Sequence, residues 1–198
     1  GDHAMPPVAT GPRDATPRDE DTAFAGHPAG LAYLAFMEAF ERFSFYGMQA
    51  LLVLYMTSRL LLPGHVENVA GFAAFRSALE GVFGPMSPTA LASEVFGLYA
   101  GFCSFTPVFG GLIGDRWLGQ RRAVLVGGAM MAAGHFLMAF EASFLAALVL
   151  LMTGCGLLKG NISAQVGNLY VGADRRREAA FQLFYLAASV GVLGAPLV

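Results

Sequence analysis

Glu38-Ala-Phe-Glu41-Arg42-Phe-Ser-Phe-Tyr46-Gly47 puts three charged side chains inside an apolar run that extends from Leu31 to Leu62. A bilayer's hydrocarbon core needs about 20 helical residues to cross, so the run is long enough for a tilted span. At helical spacing, positions 38, 41, 42, 45, 46 and 49 share one stripe, and Glu38, Glu41, Arg42, Tyr46 and Gln49 project to the same side. That side cannot face lipid. An ionised residue at mid-membrane costs about 2.5 to 3.5 kcal/mol on insertion scales, so these charges require partners in a bundle interior. Such groups mark either an ion or substrate pathway or a structural ion pair between helices.

Composition sets the class. Of 198 residues, 56% are hydrophobic and only 13% charged, well below the roughly 25% charged typical of soluble domains. The sequence predicts an all-α integral membrane protein. The net charge of -2 and the lack of any recognition motif speak against nucleic acid as a partner. Cys103 and Cys155 both fall in apolar spans without metal-ligand spacing and read as small buried fillers.

Residues 1-29 form a Pro-rich polar tail, with the charge cluster Arg18-Asp-Glu-Asp21, expected to be disordered. Gly1 to Ala4, ahead of Met5, resembles an expression scar, and no secretory signal precedes Leu31. Residues 30-198 read as one helical bundle, with spans at about 31-60, 89-114, 123-140, 144-170 and 179-198. Val66 to Phe83 is expected as an interfacial helix or as extensions of the adjoining spans. Pro107 should kink the second span, eased by Thr106, and Gly97, Gly101, Gly110 and Gly111 should let a neighbour approach closely. The apolar character of the fifth span at Val198 suggests the front part of a longer polypeptide.

The basic turns Arg116, Arg121, Arg122 and Arg175 to Arg177, with Arg13 and Arg18 of the tail, fall on one side of five spans. Positive residues mark the cytoplasmic side, so the amino terminus is expected there.

The fourth span holds Lys159, the only lysine in the sequence. With Glu38 and Glu41 outnumbering Arg42, neutrality makes it their natural partner. A strongly hydrated ammonium in a membrane is held by a carboxylate or loses its proton, and either outcome makes the site proton-sensitive. Glu94, Glu141 and His135 read as interfacial, turn and packing residues respectively.

The opening segment resembles the ExxERFxYYG signature of the proton-dependent oligopeptide transporters (POT/PTR), a branch of the major facilitator superfamily. Gly110-Gly-Leu-Ile-Gly-Asp115-Arg116-Trp-Leu-Gly119 is similar to the facilitator loop between helices 2 and 3, and Gly156-Leu-Leu-Lys159-Gly-Asn161-Ile-Ser163 to the family's helix 4 lysine motif. Phe184-Tyr185-Leu-Ala-Ala-Ser189-Val-Gly191 resembles its FYxxINxG pattern. The motifs occur in the family's order.

The resemblance implies the N-terminal part of a major facilitator fold, five of the six helices of the N-terminal bundle, with the C-terminal half of the transporter as its partner. It implies a proton-coupled symporter importing di- and tripeptides by alternating access in the cell (inner) membrane. The coupling ion would be the proton, with no cofactor or metal. Glu38, Glu41, Arg42 and Lys159 would form the proton-coupling set. Arg42, Phe45, Tyr46, Lys159 and Ser189 would line the substrate site, and Asp115 and Arg116 would belong to a cytoplasmic conformational latch.

There are departures from the family pattern. Gly160 stands where the family has proline and should loosen the backbone, Ala188-Ser189 replaces isoleucine and a peptide-binding asparagine, and Ser104 stands where many members have tyrosine. The nearest alternative is a transporter of nitrate, amino acids or another anionic solute on the same scaffold. An enzyme is disfavoured, since Asp115 in a turn is the only candidate for an aspartyl pair and no HExxH or GxSxG motif is present. A non-transporting scaffold or regulatory fragment is a third reading.

Overall fold

The computed structural model describes residues 22–170 and 175–197. Five long helices and one short one make up the described chain: α1 (Ala29–Tyr55), α2 (Phe72–Phe83), α3 (Pro88–Ile113), α4 (Gln120–Met138), α5 (Phe144–Asn168) and α6 (Arg176–Gly194). Both α1 and α3 run on into a wider π-type turn, at Met56–Leu60 and Gly114–Leu118. Helices α1, α3, α4, α5 and α6 lie over the five apolar runs. Among the described residues, Pro88–Leu118, Glu141–Asn168 and Arg176–Leu197 are long and apolar enough to cross a bilayer on composition alone. The charges of α1 keep it below that mark. Its place in the bundle, and the outward Tyr33, Phe36 and Phe40, make it a membrane helix all the same.

The connection after α1 holds a 3-10 turn at Val66–Asn68 and then α2, a separate helix rather than an extension of α1 or α3. Arg76 Nε donates to Glu80 Oε1 at 2.9 Å, and the backbone N–H of Met86 donates to the same oxygen. These bonds to the charged form, the arginine's first, hold the Glu80 carboxyl below the usual carboxylate range. Ser87 then caps α3, its hydroxyl accepting from the Ala90 N–H, with Pro88 at the first helical position where no backbone donor is needed.

The core is built on α5, which packs along α4 on one side and α3 on the other, while α6 packs along α1. Small residues dictate these contacts. A Cβ at Gly154 would meet the Gly127 carbonyl of α4 at 2.8 Å, one at Gly110 would strike the Gly156 carbonyl, and one at Gly160 would strike the Gly111 N–H and the Pro107 carbonyl. On the other side, a Cβ at Gly191 of α6 would strike the Ala39 carbonyl of α1. Backbones touch where only glycine fits, which is how helices associate when lipid offers no hydrophobic drive.

Two expectations about glycine change here. Gly97 and Gly101 face open space, so only Gly110 and Gly111 of α3 serve close approach. Gly160 does not loosen its helix: α5 is unbroken from Phe144 to Asn168, and the missing side chain is what admits α3. Proline at 107 removes one backbone donor from α3. The Thr106 hydroxyl beside it lies 2.7 Å from the Phe102 carbonyl and 3.1 Å from the Met152 carbonyl of α5, tying the proline turn to the central helix.

The described chain has structure before residue 30. Phe24 and His27 exchange backbone hydrogen bonds, and the His27 ring, buried, bonds the Tyr170 hydroxyl at 2.8 Å. Residues 22–28 are thus fixed against the end of α5, although the composition reads as tail. Arg18-Asp-Glu-Asp21, the expected scar Gly1 to Ala4, and Asp174 of the second basic turn lie outside the described residues. At the same end, Gln165 and Asn168 of α5 donate to Gln120, which lies within the first basic turn. Arg177 lies against Gly167. The two basic turns therefore share one end of the bundle.

Candidate functional site

α1 turns Glu38, Glu41 and Arg42 toward α5, and α5 returns Lys159 to meet them. Arg42 Nε donates to Glu38 Oε1 at 2.9 Å, one helical turn back, and lies 3.7 Å from Glu41 Oε2. Lys159 Nζ is 3.0 Å from Glu41 Oε1. Two acids and two bases thus close a neutral cluster from helices more than a hundred residues apart in sequence. Opposite charges at these separations offset the desolvation that would expel any one of them from the membrane.

Burial divides the cluster. The glutamate side chains are 4% and 1% exposed, whereas Arg42 is 34% and Lys159 18% exposed. The acids sit at the back and the cations at the mouth. An incoming anion can therefore reach both cations without displacing either glutamate from its seat. One valence is left over: Glu41 Oε2 is buried without a hydrogen-bond partner, with only the Arg42 guanidinium at ion-pair distance.

Aromatic rings frame the mouth. Lys159 Nζ lies 4.9 Å from the centroid of the Phe45 ring, which stacks on Tyr99 of α3 and meets Tyr46 edge-on. An ammonium over a ring face gains electrostatic attraction from its quadrupole. Tyr46 is half-buried. On the far side of Glu41, an apolar cavity of about 500 Å³ runs between α1, α4 and α5, lined by residues that include Phe40, Ser44, Met131, His135 and Leu158. His135 hydrogen-bonds Ser44 there, the packing role expected of it.

The other predicted residues lie elsewhere. Ser189 is exposed on α6 and its hydroxyl donates to the Tyr185 carbonyl of its own helix at 2.9 Å. None of its described bonds reaches the charged cluster. Asp115 and Arg116 are exposed in the π-type turn after α3, where Asp115 Oδ1 accepts from Gln120 Nε2 at 3.0 Å. Gly119, at φ 78°, then reverses the chain into α4. This turn is joined to the lysine helix through Asn161, buried and two residues past Lys159. Asn161 Nδ2 donates to the Gly110 and Leu157 carbonyls, both at 2.8 Å, and its side chain fills the space over Gly114. Among the described residues no group of three His, Cys, Asp or Glu side chains is placed to hold a metal ion.

Sequence reasoning missed two members of the cluster's wall. Cys155 is not a mere filler: its thiol lies 3.4 Å from Glu41 Oε1. Tyr99 backs Phe45. The available signal for Cys155 was its spacing, one helical turn before Lys159 and hence on the same face of α5.

Residues 121–198 match the POT family. The chain is 37% identical over 179 residues to the peptide transporter YePEPT of Yersinia enterocolitica, covering 88% of this chain and 31% of that protein. It is 34% identical over 181 residues to a di-/tripeptide transporter of Lactococcus lactis, covering 90% and 33%. The crystal structure of a peptide transporter POT in complex with sulfate superposes with a TM-score of 0.70 at 34% identity, over 92% of this chain and 35% of that one. The chain belongs to the POT family. A POT family transporter in complex with 5-aminolevulinic acid gives a TM-score of 0.69 at 32% identity, over 89% and 33%. The chain spans about a third of the length of the curated relatives it matches. The helical fold expected from the apolar runs is that of the N-terminal part of these POT transporters.

Proposed function

We propose that this chain is the proton-coupling and carboxylate-binding part of a symporter that imports di- and tripeptides across the cell (inner) membrane by alternating access. The observation that carries the reading is the neutral cluster in which Lys159 pairs with Glu41 and Arg42 with Glu38, the acids sealed and the cations open. Relatives named as peptide transporters support the substrate class. Related structures that hold sulfate and 5-aminolevulinic acid fit a cationic mouth.

A free peptide is a zwitterion, and in a dry cavity its carboxylate needs cations. Arg42 supplies a planar fork suited to bidentate contact and Lys159 a compact point charge. The carboxylate of the peptide and those of Glu38 and Glu41 compete for these two groups. A proton placed on Glu41 releases Lys159 toward the ligand, and by reciprocal linkage a bound ligand raises the proton's affinity in return. Each proton carried inward contributes about 2.3 kcal/mol per 100 mV of membrane potential. No cofactor enters this cycle.

Phe45 and Tyr46 line the mouth, and Ser189 joins the substrate site when α6 approaches the ligand. Asp115 and Arg116 serve the cytoplasmic latch, coupled to Lys159 through Gly114 and Asn161. The acid that meets the peptide amine comes from the C-terminal half of the transporter. The basic turns at one end of the bundle support a cytoplasmic amino terminus.

Uptake of labelled dialanine into proteoliposomes under an inward proton gradient tests the reading. Accumulation that collapses with an uncoupler is expected. Competition by nitrate or single amino acids in place of peptides would favour the anionic-solute alternative, and a complete protein that moves none of them would overturn the proposal.

A further inference from the structure

Glu41 accepts from a second group besides Lys159, and that group has a second place to put its proton. Pro107 has no N–H, so the carbonyl four residues back in α3, that of Cys103, lacks its helical donor. This carbonyl faces α5. The Cys155 Sγ lies 3.8 Å from it and 3.4 Å from Glu41 Oε1, within the longer reach of sulfur. Cys103 and Cys155 are 0% and 2% exposed, so no water competes for either acceptor. A thiol carries one proton and can donate it in one direction at a time.

We propose that the Cys155 thiol is a two-position donor that reports and tunes the protonation of Glu41, turning to the carboxylate when it is charged and to the orphaned Cys103 carbonyl when it is neutral. Cys155 is a positioning residue, touching neither peptide nor transferred proton. The inference rests on the reading of Glu41 as a proton-coupling group.

The surroundings of Glu41 leave room for this role. From α1 it faces Glu38, Arg42 and Tyr46, from α5 Lys159 and Cys155, from α3 Cys103 and Tyr99, and from α4 the His135 that lines the same cavity. From α6, Gly191 meets α1 beside Ala39 and brings no charge. When Glu41 is neutral and Lys159 has moved to a ligand, the thiol needs another acceptor or it is left buried and unfilled, and the Cys103 carbonyl, spared a helical N–H by Pro107, offers one alongside the Cys103 sulfur. The free carbonyl removes that penalty, so the neutral state of the glutamate is not disfavoured by its own neighbour.

Opposite substitutions should move the proton dependence in opposite directions. Cys155→Ala deletes a donor to the charged carboxylate, so the midpoint of the pH profile of uptake should move to higher pH by roughly half a unit to one unit. Pro107→Ala restores an N–H that competes with the thiol for the Cys103 carbonyl, weakens the thiol's second position, and should move the midpoint to lower pH. A structural role alone would not give shifts of opposite sign. Infrared difference spectra of the complete protein read the thiol directly, whether or not it transports. The S–H band lost in Cys155→Ala should change frequency as the Glu41 carboxyl titrates, and should cease to do so in Glu41→Gln. A Cys155 band that is fixed across the titration overturns the proposal, as do equal pH midpoints in both variants. Absence of proton-driven uptake by the unsubstituted protein would instead sink the functional reading, with the infrared titration still deciding the thiol's role.

Discussion

Glu41 and Glu141 are both carboxylates held by basic neighbours, and they differ in almost everything that follows. Glu41 meets Lys159 at 3.0 Å and Arg42 at 3.7 Å, with 1% of its side chain exposed. Glu141, between α4 and α5, has His65 at 2.6 Å, Arg59 at 3.5 Å and Asn68 at 3.4 Å, with 20% exposed. With the Cys155 thiol 3.4 Å from Glu41, each carboxylate has three partners. Burial, not the number of contacts, decides what each is worth. Water screens the outer cluster, where an ion pair contributes little. Inside the bundle nothing but the partner stands between a charge and its desolvation, so breaking a buried pair costs about 3 to 5 kcal/mol.

The sharpest way to break this contrast is Lys159→Ala. Glu41 would lose the partner whose release couples its proton to the ligand, so proton-driven uptake in proteoliposomes should vanish while peptide counterflow persists. Accumulation at the unsubstituted rate would refute the assignment. Arg42→Ala should weaken peptide binding by about tenfold to a hundredfold, the worth of a charge-assisted hydrogen bond, measured by calorimetry. Glu38 should tolerate the same variant less well than it tolerates loss of the lysine. Glu141→Gln should leave uptake unchanged and lower thermal stability only slightly. That small loss should shrink further in high salt. A large loss of transport in this variant would erase the distinction between the two carboxylates.

The smallest expected effect concerns Glu80, outside the spans. Its carboxyl is lowered, first by the Arg76 hydrogen bond and then by the Met86 N–H. A depressed carboxylate adds stability above its ordinary value and loses it as pH falls through the lowered one. Arg76→Gln should therefore raise the midpoint of the Glu80 carboxyl titration followed by NMR. An unchanged midpoint would assign the effect to the Met86 N–H alone.

Much of the inner cluster was legible because charge inside an apolar run has few explanations. Glu38, Glu41 and Arg42 share one helical stripe, and the only lysine in the chain lies in another span, so their meeting follows from neutrality. The outer cluster was not legible. His65 and Glu141 are 76 residues apart in polar connections, where composition sets no pairing. The spans themselves follow from apolar length, but which face of each meets which neighbour does not. Gly97 and Gly110 look alike in sequence, and only the second finds a helix opposite. Cys155 was undervalued for a related reason: a thiol in an apolar span is ordinary filler until a carboxylate is known to sit across from it.

Where α3 crosses α5, main chain rests on main chain. Gly110, Gly156 and Gly160 have no space for a single methyl carbon, so the two rods cannot be prised apart by even the smallest addition. Genetic drift should therefore be frozen at these three codons. A randomised library selected for folded protein should return glycine at 110, 156 and 160, and a broad spectrum of residues at 97 and 101.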